Sequence, residues 1–244
     1  MRRAASRGVP AEGWVVAEGP HLLDEALRGT WPIHRIIATP SASEKWAELI
    51  SQSHAPVTLV DNHAFSATAS TETAQGILLL LYPRVWQWPD LLGGERLVVV
   101  LDELQDPGNA GAIIRSAEAF GAGGVVLSKG SVQIANSKLI RAAAGSLFRL
   151  PVLSAIAASE ALAELATAQF AIYGLAGGAR QSLAAADLRR PSAIFVGNEG
   201  AGLSEPVLAA AQLLSIPTRG VESLNAAIAC SIALFEARRQ RGLV

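Results

Sequence analysis

Beyond Trp88 the 244-residue chain has no histidine and no tryptophan. The four histidines, His21, His34, His54 and His63, all lie before that point. The later part therefore cannot assemble a Ser–His–Asp triad or a histidine metal site, and no metal is expected there. Cysteine is nearly absent too. Cys230 stands alone, which excludes an internal disulfide and fits a reducing, cytoplasmic compartment. It sits in "AAIACSIALF" and reads as a small core residue rather than a nucleophile. No stretch reaches the ~18 apolar residues a membrane span needs. The start, "MRRAASRGVP", is positive but has no apolar core behind it, so no signal peptide is expected. Lysine is scarce, three against 17 arginines, a bias that suits either phosphate binding or genome composition. Nor is there an excess of charge of one sign. The net charge is −1, so any nucleic-acid contact must come from a local patch. Residues 1–95 carry seven Lys/Arg against ten Asp/Glu, and residues 96–244 carry thirteen against eleven. Half the residues are hydrophobic, which excludes a disordered chain.

The loss of His and Trp coincides with "YPRVWQWPDLLGGERL", where Pro83, Pro89, Gly93 and Gly94 punctuate the chain. We read residues 1–82 as one domain, 83–95 as a linker and 96–244 as a second domain. In the first, "WVVAEG", "HRIIAT", "VTLV" and "GILLLLY" read as strands. "HLLDEALRG" reads as a helix ending at Gly29, and "SEKWAELISQS" as a helix with Ser43 as its N-cap. This is a small α/β module. In the second, "RLVVVLDELQDPGNAGAIIRSAEAFGAGGVVLS" is strand, loop, helix, strand, with Asp106 as cap, Pro107 in the first turn and Gly121 at the end. The later runs "FAIYGL", "SAIFVG" and "LLSIP" are short and unalternating, as strands covered on both faces should be. The fold class is α/β with a mostly parallel sheet.

Three loops follow strands, where open α/β sheets build their sites. The first, "DPGNAGAIIR", offers Asn109 and Arg115, which we place on a similar side of the helix; its plain alternative is a capped helix with one surface arginine. The second, "FVGNEGAGLS", holds Asn198 and Glu199 between glycines that let backbone approach a ligand. Its spacing is not GxGxxG, no such motif follows the strand at Leu97, and no GK[ST] occurs, so dinucleotide and P-loop folds lose their support. The third runs from "LLSIP" through a turn at Gly220 to Ser223, Leu224 and Asn225. Ser223 as N-cap of the last helix is the plain reading, and it leaves Asn225 unexplained, a poor helix former. Without histidine, chemistry here rests on Asn, Arg, Glu and Ser, a toolkit for positioning that suits group transfer from an activated donor.

In order, "LDELQDPGNAGAIIRSAEAFGA", "IFVGNEGAGLS" and "IPTRGVESLNAAIA" resemble the three motifs of the SpoU/TrmH family of SPOUT methyltransferases, over about Arg96 to Arg239. These enzymes transfer a methyl group from S-adenosylmethionine to a ribose 2′-hydroxyl of ribosomal or transfer RNA. The first domain, through "AEGPHLLDEAL", is similar to the L30e-like RNA-binding domain of many members. The resemblance implies a C-terminal trefoil knot whose loops hold the cofactor, and a homodimer formed through the second domain. It implies catalytic or substrate-positioning roles for Asn109, Arg115, Glu199, Ser223 and Asn225. It implies cofactor contacts at Leu175, Gly177, Gly197, Ile216 and Leu224. A guanidinium is a donor-only group that keeps its proton, so we read Arg115 as a clamp on an RNA phosphate. Two departures from the family stand out. The turn from Pro217 to Ser223 is one residue shorter than usual, and Thr218 replaces a commonly hydrophobic residue. The opening also lacks the helix that often begins the L30e-like domain; Arg2, Arg3 and Arg7 are then an RNA-touching tail or a disordered start. Two other functions share these features, a non-catalytic RNA-binding protein and an antibiotic-resistance rRNA methyltransferase.

Overall fold

The computed structural model describes residues 13–69 and 74–242, so Arg2, Arg3 and Arg7 lie outside the described residues. The chain divides into two compact units, Met1–Val85 with Gln133–Arg149, and Trp86–Val132 with Leu150–Val244.

The first unit opens with strand β1 (Val15–Glu18) and helix α1 (Pro20–Leu27), with Pro20 in the first turn, where its missing N–H costs nothing. Leu22, Leu23 and Ala26 are buried, one helical face. Strand β2 (Ile33–Ala38) follows. The helix expected at 43–53 is instead two, α2 (Pro40–Lys45) and α3 (Ala47–Ser51). The N-cap is Thr39, not Ser43: its side chain accepts from Ala42 N, and Pro40 behind it fixes the start. Trp46, at φ −114° and ψ 23°, leaves helical geometry and separates the two. Strand β3 (Val57–Leu59), helix α4 (Asn62–Ser66) and strand β4 (Ile77–Leu81) complete a sheet of order β1-β4-β2-β3. β4 runs antiparallel to β1 and β2, and β2 pairs with β3 in parallel. Every residue of β4 is buried, as its central place requires.

The stretch 83–95, expected as a linker, carries helix α5 (Trp88–Leu92), closed by a capping box between Gln87 and Asp90. Its Leu91 is fully buried against Val98 and Val126 of the second unit. Strand β5 (Leu97–Leu101), helix α6 (Pro107–Ala119) and strand β6 (Gly124–Ser128) follow. Residues Gln133–Arg149 group with the first unit and hold helix α7 (Ser137–Ala142). There Phe148 packs its ring 5.3 Å from that of Trp31.

The rest of the second unit is strand β7 (Val152–Ile156), helix α8 (Ala158–Thr167), strands β8 (Ala171–Leu175), β9 (Gln181–Ser182) and β10 (Ser192–Val196), helix α9 (Glu205–Ala210), strand β11 (Gln212–Ser215) and helix α10 (Ala226–Gln240). The sheet order is β7-β6-β5-β10-β8-β11-β9, and every neighbouring pair is parallel. Alternation along the strands sends Val98, Val100, Val126, Ala193 and Phe195 to one face, where α5, α8 and α9 add Leu91, Leu165 and Val207. Val99, Leu101, Val125 and Ile194 are equally buried on the other face, and α6 packs against α10 beside β6 and β10. Both faces are covered, which is why these strands read as unbroken apolar runs. Among the described residues no helix is long and apolar enough to cross a membrane.

Candidate active site

The C-terminal ends of β5, β10 and β11 point the same way in the parallel sheet, so the loops that follow them gather at one edge. At the first loop, Asp106 Oδ1 accepts from Asn109 N at 2.7 Å and caps α6, which places the Asn109 side chain in the first turn. Asn109 Nδ2 donates to Glu199 Oε1 at 3.0 Å, and Asn225 Nδ2 donates to Asn109 Oδ1 at 2.9 Å. One residue from each loop thus joins a single hydrogen-bonded group.

The second loop is held from several sides. Asn198 and Gly202 exchange N–H···O bonds of 2.9 Å in both directions, with Gly202 at φ 75°. A Cβ at Gly197 would lie 2.3–2.5 Å from the Gly202 and Leu203 backbone, so only glycine fits. Asn198 Oδ1 accepts from Gly200 N and Ala201 N, while its Nδ2 donates to Glu103 O at 2.9 Å. The buried carboxylate of Asp102 accepts from Ser204 N at 2.7 Å. These bonds fix the loop to the end of β5 and leave Glu199 projecting from its tip.

The third loop turns at Gly220, φ 80°, and Thr218 Oγ1 donates to Val221 O across the turn at 2.9 Å. The cap of α10 is Asn225 rather than Ser223. Its Oδ1 accepts from Ala227 N and Ile228 N, and helix begins only at Ala226. Capping accounts for the asparagine that the sequence left unexplained, and Ser223 is released to face the site.

A cavity of about 640 Å³ opens between the second and third loops and the one after β8, with Asn109 outside its lining. Leu175, Gly177, Gly197, Ile216 and Leu224 all line it, as do Glu199, Ser223 and Asn225. A Cβ at Gly177 would meet Glu222 O at 2.9 Å, so the chain passes close there. The size suits a nucleoside-containing ligand. Glycine backbone with Leu175, Ile216 and Leu224 offers an apolar cradle, and Ser223 and Thr218 add hydroxyls; S-adenosylmethionine fits such a lining. Leu208 of α9, exposed and lining the cavity, was not foreseen. No sequence pattern distinguishes it from any other surface leucine.

Arg115 is placed differently from the expectation. Six residues at ~100° each put it about 120° around the axis from Asn109. It shares a side with Ala112, three residues before it. Ala112 in turn lines a shallow apolar cavity of about 390 Å³ with Ala227, Ile228, Ser231, Ile232 and Phe235. Arg115 is exposed. Among the described residues no hydrogen bond or ion pair ties it to Asn109, Glu199 or Asn225. Cys230 is fully buried beneath, where loss of solvation pushes its thiol up to about 12.

Residues 96–235 match the SpoU rRNA Methylase family, and residues 10–79 match the MRM3-like substrate binding domain. The chain belongs to the SpoU rRNA methylase family. These are the S-adenosylmethionine-dependent RNA 2′-O-methyltransferases that the three motifs resemble. A tRNA/rRNA methyltransferase of Synechocystis, itself uncharacterized, is 35% identical over 92% of this chain; the match spans 62% of that relative's length. The 23S rRNA (guanosine(2553)-2′-O)-methyltransferase RlmP of Bacillus subtilis is 33% identical over 91% of this chain and 87% of its own. Among solved SpoU structures, the methyltransferase AviRb of Streptomyces viridochromogenes with AdoMet superposes at a TM-score of 0.87. It is 26% identical and covers 94% of this chain and 91% of AviRb.

Proposed function

We propose that this chain methylates a ribose 2′-hydroxyl of ribosomal RNA, in the cytoplasm and as a homodimer. The observation that carries this reading is the hydrogen-bonded group Asn225–Asn109–Glu199 on the rim of a cavity lined by all five expected cofactor contacts. Relatives named as 23S rRNA guanosine methyltransferases support a guanosine in 23S rRNA as the target.

S-adenosylmethionine, when bound, supplies an electrophilic methyl group on a sulfonium. Leu175, Gly177, Gly197, Ile216 and Leu224 hold it by backbone and apolar contact. Glu199, kept in place by Asn109, receives the ribose, and Ser223 and Asn225 border the same opening. The first unit, which holds residues 1–82, serves as the RNA-binding domain, and the second, from Trp86 on and without Gln133–Arg149, as the catalytic domain. The path from β8 to β9, then β10, then back to β11 between β8 and β9 supports the trefoil knot.

The homodimer accounts for the placing of Arg115. Ile228, Ile232 and Phe235 on α10 are 54%, 37% and 45% exposed and make one apolar face beside Ala112. A second copy docked there covers that face and brings Arg115 of one protomer to the edge of its partner's site, where the guanidinium clamps an RNA phosphate. The reading is tested with purified protein, S-adenosylmethionine and total rRNA. One or a few mapped 2′-O-methyl sites are the expected outcome. Calorimetry that finds no binding of S-adenosylmethionine or S-adenosylhomocysteine at millimolar concentration would refute it.

A further inference from the structure

The amide of Asn225 faces two groups of opposite character. Its Oδ1 accepts from the N–H groups of Ala227 and Ile228, at 2.9 and 3.3 Å. Backbone N–H groups of a first helical turn only donate, so the oxygen is the atom that must face them. Nδ2 is then turned outward, and it donates to Asn109 Oδ1 at 2.9 Å. With its oxygen engaged there, Asn109 presents Nδ2 to Glu199 Oε1, 3.0 Å away. An ionised carboxylate only accepts, so the far end demands the same direction. Both ends of the chain fix one polarity. Neither amide can turn over without setting acceptor against acceptor. Asp106 N adds a second, longer bond of 3.4 Å to the same Glu199 oxygen. Glu199 Oε2 has no partner among the described residues.

We propose that Asn225 is a positioning residue for Glu199. Donors at the start of the last helix, passed through two amides, occupy Oε1 and leave Oε2 as the oxygen offered to the RNA. This deepens the methyltransferase reading and rests on it. It also explains a choice that capping alone does not. Aspartate caps a helix as well as asparagine and suits the helix dipole, yet it has no hydrogen to pass on. In that place it would draw Asn109 Nδ2 toward itself and turn Asn109 Oδ1 onto Glu199, which repels it. The bonds lie at an exposed rim where water can substitute, so the consequence falls on alignment rather than on stability.

The test is a cycle of Asn225→Asp and Glu199→Ala, each measured for melting temperature, S-adenosylhomocysteine affinity and kcat on rRNA. Asn225→Asp alone is expected to melt like the native protein and to lose at least ~10-fold in kcat, the scale of a misplaced catalytic group. In the Glu199→Ala background it should cost less than ~2-fold, because a residue acting only through Glu199 has nothing left to act on. Losses that multiply would overturn the proposal and place Asn225 in direct contact with substrate. A second readout needs no turnover. The Asn109 side-chain amide resonance in a ¹⁵N spectrum should move on Glu199→Ala in the otherwise native protein, and on Asn225→Asp. An Asn109 resonance indifferent to both would also overturn it. Native protein that transfers no methyl group would sink the functional reading, and the resonance comparison would still decide the positioning.

Discussion

Arg115 stands on a different side of α6 from Asn109, and the roles proposed for the two residues differ accordingly. Asn109 engages Glu199 within its own chain, whereas Arg115 is exposed on the side of α6 that carries Ala112, which borders the apolar face of α10. Arg115→Ala should keep S-adenosylmethionine affinity within a few fold while single-turnover transfer falls at least ~100-fold, the scale of one lost electrostatic contact. Arg115→Lys should not restore it, because a point charge does not replace a bidentate fork. Near-native turnover in Arg115→Ala would show that the clamp lies elsewhere. Cys230 takes the opposite part. With its thiol raised from 9.0 to about 12 by burial, it carries almost no thiolate near neutrality. Iodoacetamide at pH 8 should leave the native protein unmodified and label one thiol once guanidinium unfolds it. The folded thiol holds its proton more tightly than the unfolded one. Its contribution to stability is therefore complete below about pH 9 and is lost as pH rises toward 12, so Cys230→Ala should flatten the alkaline fall of the urea midpoint.

At the scale of elements, the loop after β10 depends on a close approach that only glycine permits. Gly197→Ala would press a methyl group against the Gly202 backbone and open the Asn198–Gly202 bridge. We expect a loss of ~1–3 kcal/mol in stability, the usual cost of overpacking, with a fall in cofactor affinity seen by calorimetry. Unchanged melting and unchanged affinity would mean that the bridge is dispensable. The strands around this loop were legible because a sheet covered on both faces needs consecutive apolar residues, as "LVVVL" and "SAIFV" show. Asp106-Pro107 fixed the start of α6 by the same chemistry in sequence and in structure. The misread elements share a cause. Ser43 and Ser223 were credible caps, but Thr39 before Pro40, and Asn225 with its longer amide, competed for the same role and took it. Residues 83–95 looked like a connector for their Pro and Gly, yet Leu91 had a core to enter. The polarity of the amide chain was illegible, since it joins residues 90 and 116 positions apart.

For the whole molecule, the decisive surface is the one that a single chain leaves bare. Phe235 rests edge-on against Phe120 at 6.0 Å, yet 45% of it remains exposed, next to Ile228 and Ile232. Ile232→Asp changes a side chain already partly in water, so each chain should fold with native circular dichroism. It should nonetheless scatter light as a monomer at micromolar concentration, because a charge in an apolar interface has no counterpart. Methyl transfer should fall with it, while S-adenosylhomocysteine still binds. Native protein that is monomeric and fully active would refute the shared site.

The place of β11 in the sheet has a consequence in time. This strand lies between β8 and β9, both of which leave the ribosome before it. Until residues 212–215 emerge, the gap between those two strands has no occupant, and the cavity lacks the wall that Ile216 and Leu224 provide. A chain ending before Gln212 would therefore lack both strand β11 and that wall, and it should bind no donor analogue. Cofactor capture should come only after the last third of the second unit is in place, and a donor analogue that fluoresces on binding would report that step in refolding.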